Sequence, residues 1–330
     1  MSKDPTSIPA ASSLKENSSA APRTLILLAF AAVYIVWGST YLGIRIAIET
    51  IPPFFMAGMR HLTVGLVLYP ILIGKTGIHP TAAHWRSAAI SGILLLFFGN
   101  GGLSWAEQLV PTGISALLVA TVALWLVVVD WLRPGGTRPV PRVIAGLLLG
   151  FAGMVLLVGP AHLGGSGRIN LVGAGVLGFA SFIWACGSIY SKHSAMPSSP
   201  LLGVAMQSLS ASGMLFLAGL VSGEYHDLHF AAITLRSWLA LLYLIIFGSG
   251  IGFTAYVYIL NKSTAPKVAT YAFVNPVVAI FLGWLVLAEP LSLRTVLAAA
   301  VILAAVILVI TAPKKVQSSL QEPSVVPAES

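Results

Sequence analysis

The sequence alternates between long apolar runs and short polar turns that are marked by proline, lysine and arginine. A helix needs roughly 20 apolar residues to cross the ~30 Å hydrocarbon core of a bilayer. Ten runs have about this length, and prolines stand in the gaps where such helices are expected to end. The predicted spans cover residues 24–48, 54–73, 87–106, 112–132, 142–160, 170–190, 200–222, 236–259, 265–287 and 294–312.

Part of this pattern occurs twice. The stretch Phe98–Val127 lies without a gap over Phe247–Pro276, at a constant offset of 149 positions. Matching glycines and the run Val-Ala-Thr, at residues 119–121 and 268–270, coincide in the two copies. Each half then holds five spans, and an odd number inserts the second half upside down relative to the first. The predicted fold is an all-α integral membrane protein whose ten transmembrane helices form two inverted five-helix repeats around a central cavity.

The repeat also predicts how the chain is divided. Both ends are rich in Ser, Ala, Pro or Gln without apolar periodicity, which is typical of disordered segments. The predicted units are a disordered cytoplasmic tail at 1–22, a first repeat at 23–160, an outer linker at 161–169, a second repeat at 170–312 and a disordered cytoplasmic tail at 313–330.

Composition and charge support a membrane location. Hydrophobic residues make up 57% of the chain and charged residues only 8%, against about 25% charged residues in soluble domains. With both termini inside, 13 of the 18 lysines and arginines fall on the inner side, four on the outer side and one, Arg60, within a span. This bias predicts a multi-pass protein of the cytoplasmic (inner) membrane with both termini in the cytoplasm. The same scattered placement in turns argues against nucleic-acid binding.

Arg60 is the most informative charge, because it lies about six residues, or ~9 Å, inside the outer end of the second predicted span. A guanidinium at that depth is costly unless it is paired, solvated or able to reach the interface. One interpretation is that Arg60 faces the cavity and binds a substrate carboxylate through two hydrogen bonds. The alternative is a structural pair with a carbonyl or with Glu107, or a side chain that extends to the interface.

Aromatic and polar residues in the middle of the first, fourth and ninth spans are further candidates for the cavity wall, since such side chains suit a small-molecule site. The alternative for each is ordinary core packing. These candidate substrate-binding residues are Trp37, Thr40, Tyr41, Trp125, Tyr271 and Asn275.

Two residues are candidates for coupling or gating. Glu107 ends the third span, where a carboxylate of raised pKa can exchange protons with the outside; the alternative is a solvated residue that caps the turn at Pro111. Pro276 removes a helical hydrogen bond and predicts a kink in the ninth span. Asn275 or Thr270 is expected to satisfy the carbonyl that this kink frees.

Several motifs carry a family resemblance: WGSTYLGIRIAIE at 37–49, Arg60, NGGLSWAEQ at 100–108, VPTGISALLVAT at 110–121 and FVNPVVAIFLGWLVLAEPLS at 273–292. With these the chain resembles the ten-helix drug/metabolite transporter superfamily, in its EamA branch, over residues 24–312. The resemblance implies a small-molecule exporter with a central cavity between the halves. Such proteins usually carry Pro where this chain has Ala123, so a milder kink is expected in the fourth span.

The predicted function is a secondary transporter that exports small, amino-acid-like metabolites by alternating access, because one fixed cation suits a carboxylate. The alternatives are an exporter of lipophilic drugs or cations on the same fold, and a channel or non-transporting membrane protein. Neither HExxH nor GxSxG nor an aspartate pair within a span occurs, which argues against an enzyme. No cofactor, metal, nucleic acid or ATPase subunit is expected. The expected partners are the substrate, the bilayer and protons.

Overall fold

The computed structural model describes residues 23–110, 112–158, 170–287 and 292–313. Throughout these ranges the regular structure is helical, and no strand is present. The helices are α1 Arg23–Ala47, α2 Pro53–Thr76, α3 Ala82–Ala106, α4 Thr112–Ala120, α5 Val122–Leu132, α6 Pro141–Val158, α7 Leu171–His193, α8 Pro200–Val221, α9 Leu235–Lys262, α10 Ala265–Ala269, α11 Tyr271–Leu287 and α12 Leu293–Ile310.

Short polar side chains start several of these helices. Asn170, Ser199, Thr234 and Ser292 each accept a hydrogen bond from a backbone N–H in the first turn of the helix that follows. These bonds satisfy donors that a helix start otherwise leaves free. At the other end of α2, Gly77 adopts a left-handed conformation (φ 62°) and closes the helix with a bond to an earlier carbonyl.

Seven helices of the described ranges are long and apolar enough to cross a membrane: α1, α2, α3, α7, α8, α9 and α12. Their ends lie within five residues of seven of the predicted spans. The predicted spans at 112–132, 142–160 and 265–287 fall on the remaining helices, α4 to α6, α10 and α11. The tail at 1–22, the linker at 161–169 and residues 314–330 of the second tail lie outside the described residues.

The outward faces of the helices are apolar. Leu27 is 68% exposed and Leu148 61% exposed, and large apolar side chains elsewhere on the surface behave likewise. Leaving such a side chain in water forgoes about 1.5–3 kcal/mol. These faces therefore match a hydrocarbon environment.

Two helix pairs, α2 with α8 and α1 with α9, make the most extensive contacts. Glycines allow the first pair to approach closely: a Cβ on Gly58 would lie 3.0 Å from the Phe216 ring, and one on Gly65 2.5 Å from Leu209. Small residues serve the same purpose at helix contacts within membranes. Helix α1, from the first half of the sequence, packs against both α9 and α11 of the second half.

Irregularities of the backbone recur in both halves. A π-helical segment, Ile93–Gly101, interrupts α3, and another, Leu244–Phe253, interrupts α9. One-residue turns at Thr121 and Thr270 separate α4 from α5 and α10 from α11. These two threonines are 149 positions apart, as in the sequence repeat. The repeat is therefore accompanied by recurring departures from regular α-helix.

The helix interruptions lie at these threonines and were not predicted, while the kink at Pro276 stays a prediction. Helix α11 continues through Pro276, whereas the first half is interrupted at Thr121 although it carries Ala123 in place of Pro. Each threonine hydroxyl donates to the carbonyl three residues earlier, over 2.5 Å at Thr121 and 2.6 Å at Thr270. Such bonds compete with the helical pattern, and both halves carry one at the same repeat position.

Candidate functional site

A cavity of about 80 Å³ lies at the centre of the helices, with walls from both halves of the sequence. It is smaller than the ~300–1,000 Å³ of typical ligand pockets, so the helices must separate before a solute of amino-acid size can enter. Six of the seven candidate substrate-binding residues line it: Trp37, Thr40, Tyr41, Arg60, Tyr271 and Asn275.

Arg60 reaches the cavity from α2 and is 3% exposed. Its Nε donates to Ser249 Oγ over 2.6 Å, and its Nη1 donates to Asn100 Oδ1 over 3.4 Å. Gly248 leaves room for the guanidinium, because a Cβ there would lie 2.7 Å from Nη2. The pair with Glu107 that one sequence interpretation allowed is not formed. No carboxylate of the described residues lies within 4.0 Å of Arg60, so its charge is held by neutral partners.

Both partners of Arg60 come from the π-helical segments. Asn100 lies in the segment of α3 and Ser249 in that of α9, and they are the two members of one repeat position, 149 residues apart. Segments of this kind occur frequently at functional sites. The sequence analysis missed both residues as site residues, although their alignment in FGNG and FGSG was a usable signal.

Aromatic rings form one wall of the cavity around Trp37. Its ring centroid lies 5.6 Å from that of Trp184, 4.9 Å from that of Tyr256 and 5.2 Å from that of Tyr271. The indole N–H of Trp37 donates to the Gly248 carbonyl over 3.0 Å, and that of Trp184 donates to the Tyr256 hydroxyl over 3.1 Å. These bonds satisfy the buried polar atoms of the rings. Trp184 and Tyr256 were not among the predicted site residues.

The structure does not bring Trp125 to the cavity. The buried face of α5 consists of Val122, Ala123, Leu126 and Val127. Trp125 lies off that face, where it is 37% exposed and packs edge-on against Phe182 at 5.2 Å between ring centroids. A position in the middle of a predicted span does not specify which side of the helix faces inward, and here the tryptophan faces outward.

Glu107 does not line the cavity and lies directly after the apolar helix that ends at Ala106. It is 2% exposed, and neither carboxylate oxygen has a hydrogen-bond partner among the described residues. The nearby Arg45 Nη1 donates instead to the main-chain carbonyl of Glu107 over 2.9 Å. Burial raises the pKa of Glu107 to about 8, against the opposing charge of Arg45. A buried acid with this pKa can lose and regain a proton near neutral pH.

Helices α1 and α11 meet beside the cavity. The Tyr34 hydroxyl and Thr270 Oγ1 are 2.6 Å apart. With its side-chain amide oriented to donate, Asn275 reaches the Tyr34 carbonyl at 3.3 Å and the Tyr271 carbonyl at 3.0 Å. A Cβ on Gly38 would lie 2.9 Å from the Asn275 main-chain oxygen, so glycine allows the two backbones to touch. Polar bonds and close backbone packing therefore join α1 to α11.

Pro276 follows this contact and is buried. Lacking an N–H, it leaves the Ala272 carbonyl without its usual helical donor. The two residues expected to compensate bond elsewhere: Asn275 to the carbonyls of Tyr34 and Tyr271, and Thr270 to that of Lys267. Pro276 thus marks a locally weakened turn of α11 at the contact with α1.

Replacing Ser249 by alanine tests the support of Arg60. The guanidinium would lose its shortest bond and leave a buried donor unsatisfied, which costs about 1–3 kcal/mol. We expect the thermal unfolding midpoint of the purified protein to fall. Ser210→Ala is the matched control, because among the described residues that hydroxyl bonds only to the Met206 carbonyl of its own helix. Equal midpoints for the two variants would show that Ser249 does not hold Arg60.

Comparisons with known proteins agree with this architecture. The model of the EamA-like transporter family matches residues 23–159 and again residues 171–311. The uncharacterized inner membrane transporter YedA of Escherichia coli is 40% identical, over 84% of this chain and 88% of its own length. A probable amino-acid metabolite efflux pump of Escherichia coli is 24% identical, over 79% of this chain and 86% of its own. A crystal structure that is 20% identical in sequence has a TM-score of 0.70, covers 87% of this chain and 97% of its own, and supports the same fold.

Proposed function

Because the chain belongs to the EamA-like transporter family, we propose that it is a secondary transporter that exports amino-acid-like metabolites across the cytoplasmic (inner) membrane by alternating access. Family membership itself makes it a membrane-embedded transporter of small molecules and not an enzyme. We propose the class of solute, the direction of transport and the transport mechanism in addition to this.

The observation that carries the proposal is the buried guanidinium of Arg60 on the cavity wall. Its described partners, Ser249 and Asn100, are neutral. In a low-dielectric site a fixed cation favours a solute that brings a negative charge and repels a cationic one. The aromatic wall around Trp37 adds apolar surface for a modest side chain. A relative that is named a probable amino-acid metabolite efflux pump supports the same class.

Flux assays in proteoliposomes test this function. We expect saturable uptake and counterflow for amino acids or close relatives, and no flux of lipophilic cationic dyes. Counterflow separates a carrier from a channel. A carrier exposes its binding site to one side of the membrane at a time and therefore exchanges internal for external solute, whereas an open channel does not couple the two flows. Dye flux without any amino-acid flux would contradict the proposed solute class, and flux that does not saturate would favour a channel.

We further propose that ten transmembrane helices form two inverted repeats, with both termini in the cytoplasm. The paired π-helical segments of α3 and α9 and the paired breaks at Thr121 and Thr270 support a repeated design. The excess of lysine and arginine on the turns assigned to the inside supports the orientation.

Cysteine labelling tests this topology in a Cys186→Ser background. Single cysteines in place of Lys75 and Ser318 are expected to resist a membrane-impermeant reagent added to intact cells. A cysteine in place of Gly165 is expected to react, because the turn between the repeats is assigned to the outside. Permeabilised cells supply the control, in which all three positions should react. Reaction of the Ser318 position in intact cells would contradict the inverted arrangement.

Glu107 is proposed to couple export to protons. Its pKa of about 8 means that it holds a proton below about pH 8 and releases it above. The sign follows from burial, which penalises the charged carboxylate more than the Arg45 charge favours it. Tyr41 is the other titratable group within its electrostatic reach. At neutral pH Glu107 is therefore mostly protonated. It releases its proton when the surrounding solution becomes more alkaline or when water reaches the buried carboxylate.

The variant Glu107→Gln removes this titration while keeping the shape of the side chain. We expect an imposed pH gradient to accelerate export by the wild type and to leave the variant unaffected, while counterflow without a gradient persists in both. Glu49→Gln is the control, because Glu49 is exposed and pairs with Arg236 at 3.8 Å. An unchanged response of Glu107→Gln to the gradient would exclude the coupling role.

A further inference from the structure

A second cavity, of about 310 Å³, lies at the helix ends remote from Glu107. Its walls come from the ends of α5, α7 and α12 and the starts of α6 and α10. Four cationic side chains and one carboxylate line it: Arg133, Arg138, Lys192, Lys267 and Asp130. We call this cavity the basic pocket. The two halves of the sequence both contribute to it.

The cations of the basic pocket are only partly compensated. Arg133 Nε pairs with Asp130 Oδ1 at 2.9 Å, and Lys192 Nζ donates to the Ser263 carbonyl over 2.7 Å. The guanidinium of Arg138 lies 5.9 Å from the ring centroid of Trp131. The Lys267 ammonium forms no hydrogen bond or ion pair with any described residue. One carboxylate thus faces four positive charges.

A bias toward lysine and arginine on one side of the membrane explains why cations occur in these turns, but not why they converge. Charges that serve orientation alone can extend into water. Here Arg133, Lys192 and Lys267 are half-buried around one cavity, and Lys192 interacts electrostatically with both Asp130 and Arg133. Holding like charges together at low dielectric is unfavourable unless an anion joins them, and a charged cleft concentrates counter-ions.

We propose that the basic pocket binds an oxyanion, either a phosphate or a carboxylate. The Arg138 guanidinium can donate paired hydrogen bonds to such a group. Arg133 contributes its remaining donors, because its Nε and Nη1 already bond to Asp130 and to the Pro134 carbonyl. Lys267 supplies a point charge, and Thr137 and Thr264 also line the pocket. The oxyanion belongs either to a soluble metabolite or to the head group of an anionic lipid. On the proposed topology, and resting on the proposed export function, the soluble form would be bound on the side from which solute is loaded.

Phosphate binding to the purified full chain tests the site, in nanodiscs that contain only zwitterionic phosphatidylcholine. The readouts are isothermal calorimetry and the rise in thermal midpoint that a ligand of the folded state produces. We expect Lys267→Gln to weaken phosphate binding about tenfold, the loss of one charged hydrogen bond. Lys267→Arg should retain binding. Lys262→Gln is the control. Lys262 is an exposed lysine at the end of α9, just before α10, and it does not line the pocket, so this change should leave phosphate binding unaltered.

A variant of opposite sign separates an anion site from a structural role. Asp130→Asn removes the carboxylate of the pocket, so it should tighten phosphate binding while Lys267→Gln weakens it. If Asp130 and Lys267 only stabilise the helix ends, both variants should have a lower thermal midpoint. In that case the phosphate affinity would not rise in one variant and fall in the other. Absence of phosphate binding, together with absence of lipid binding in the arm described next, would overturn the proposal. Equal weakening by Lys262→Gln and Lys267→Gln would overturn it as well.

A second set of nanodiscs, containing phosphatidylglycerol, identifies the source of the oxyanion. For a lipid head group, native mass spectrometry should find phosphatidylglycerol retained on the wild type and lost from Lys267→Gln, and the lipid should compete with added phosphate. For a soluble anion, phosphate binding should be the same in both lipid mixtures. Neither set of nanodiscs measures transport, so the binding results stand even if the export proposal fails. Conversely, absence of phosphate and lipid binding would say nothing about amino-acid flux.

Discussion

Arg60→Ala is expected to reduce export of amino-acid-like solutes by at least about 30-fold. Removing one partner of a buried, hydrogen-bonded charge pair costs about 2–5 kcal/mol, and about 1.4 kcal/mol corresponds to a factor of ten. Arg60 is positioned for such a pair, because it reaches the cavity and its described partners, Ser249 and Asn100, carry no charge. The measurement is the initial rate of amino-acid flux in proteoliposomes.

The conservative change Arg60→Lys separates charge from geometry. Lysine keeps the positive charge but lacks the planar fork that binds a carboxylate through two bonds, so we expect a rate between those of the wild type and Arg60→Ala. Size-exclusion profiles and thermal midpoints of both variants control for misfolding. Full amino-acid flux in Arg60→Ala would contradict the binding role. Flux of cationic dyes that rises in Arg60→Ala would indicate that the charge acts to exclude cations.

The depth of Arg60 could be predicted from sequence, but its contacts could not. Its position within an apolar run indicated burial, because the run had the length of a membrane span. Its partners lie 40 and 189 residues away in the sequence, and helix periodicity carries no information about contacts at that distance. The repeat did carry some, since Asn100 and Ser249 occupy one repeat position.

Trp125 and Trp184 show the limit of choosing residues by their depth in a span. Both lie in apolar runs, yet Trp184 lines the cavity while Trp125 faces outward against Phe182. When a helix is apolar on every side, its sequence does not reveal which face is inside. The repeat again held the better evidence, because Trp184 follows Trp37 by 147 positions, close to the repeat offset of 149, and the two ring centroids are 5.6 Å apart.

The interruptions at Thr121 and Thr270 were missed for a different reason. Proline is the strongest sequence indicator of a helix break, and it directed attention to Pro276 and Ala123. The observed breaks involve threonine hydroxyls that bond to carbonyls three residues earlier. Threonine is common in transmembrane helices without such an effect, so this outcome depends on packing that the local sequence does not specify.

Pro276 becomes more important in this context, because it follows a place where α1 and α11 touch through their backbones. Gly38 packs against the Asn275 carbonyl, and Tyr34 bonds to Thr270. Helix α1 also carries Trp37, Thr40 and Tyr41 of the cavity wall. Because this contact joins a helix of the first half to a helix of the second, we expect a change between inward-open and outward-open forms to alter it. The turn that Pro276 weakens is therefore a candidate hinge.

Pro276→Ala is expected to lower amino-acid flux at least about tenfold without reducing the amount of folded protein. Alanine restores the N–H that can bond to the Ala272 carbonyl and removes a ring that costs about 3 kcal/mol inside a helix, so it favours one rigid form of α11. Pro70→Ala is the matched control, because Pro70 also lies inside a helix, α2, but is exposed. If rigidity at the junction is the cause, Pro70→Ala keeps its flux while Pro276→Ala loses it. Flux in Pro276→Ala that equals the flux of Pro70→Ala and of the wild type would show that α11 does not need a weakened turn.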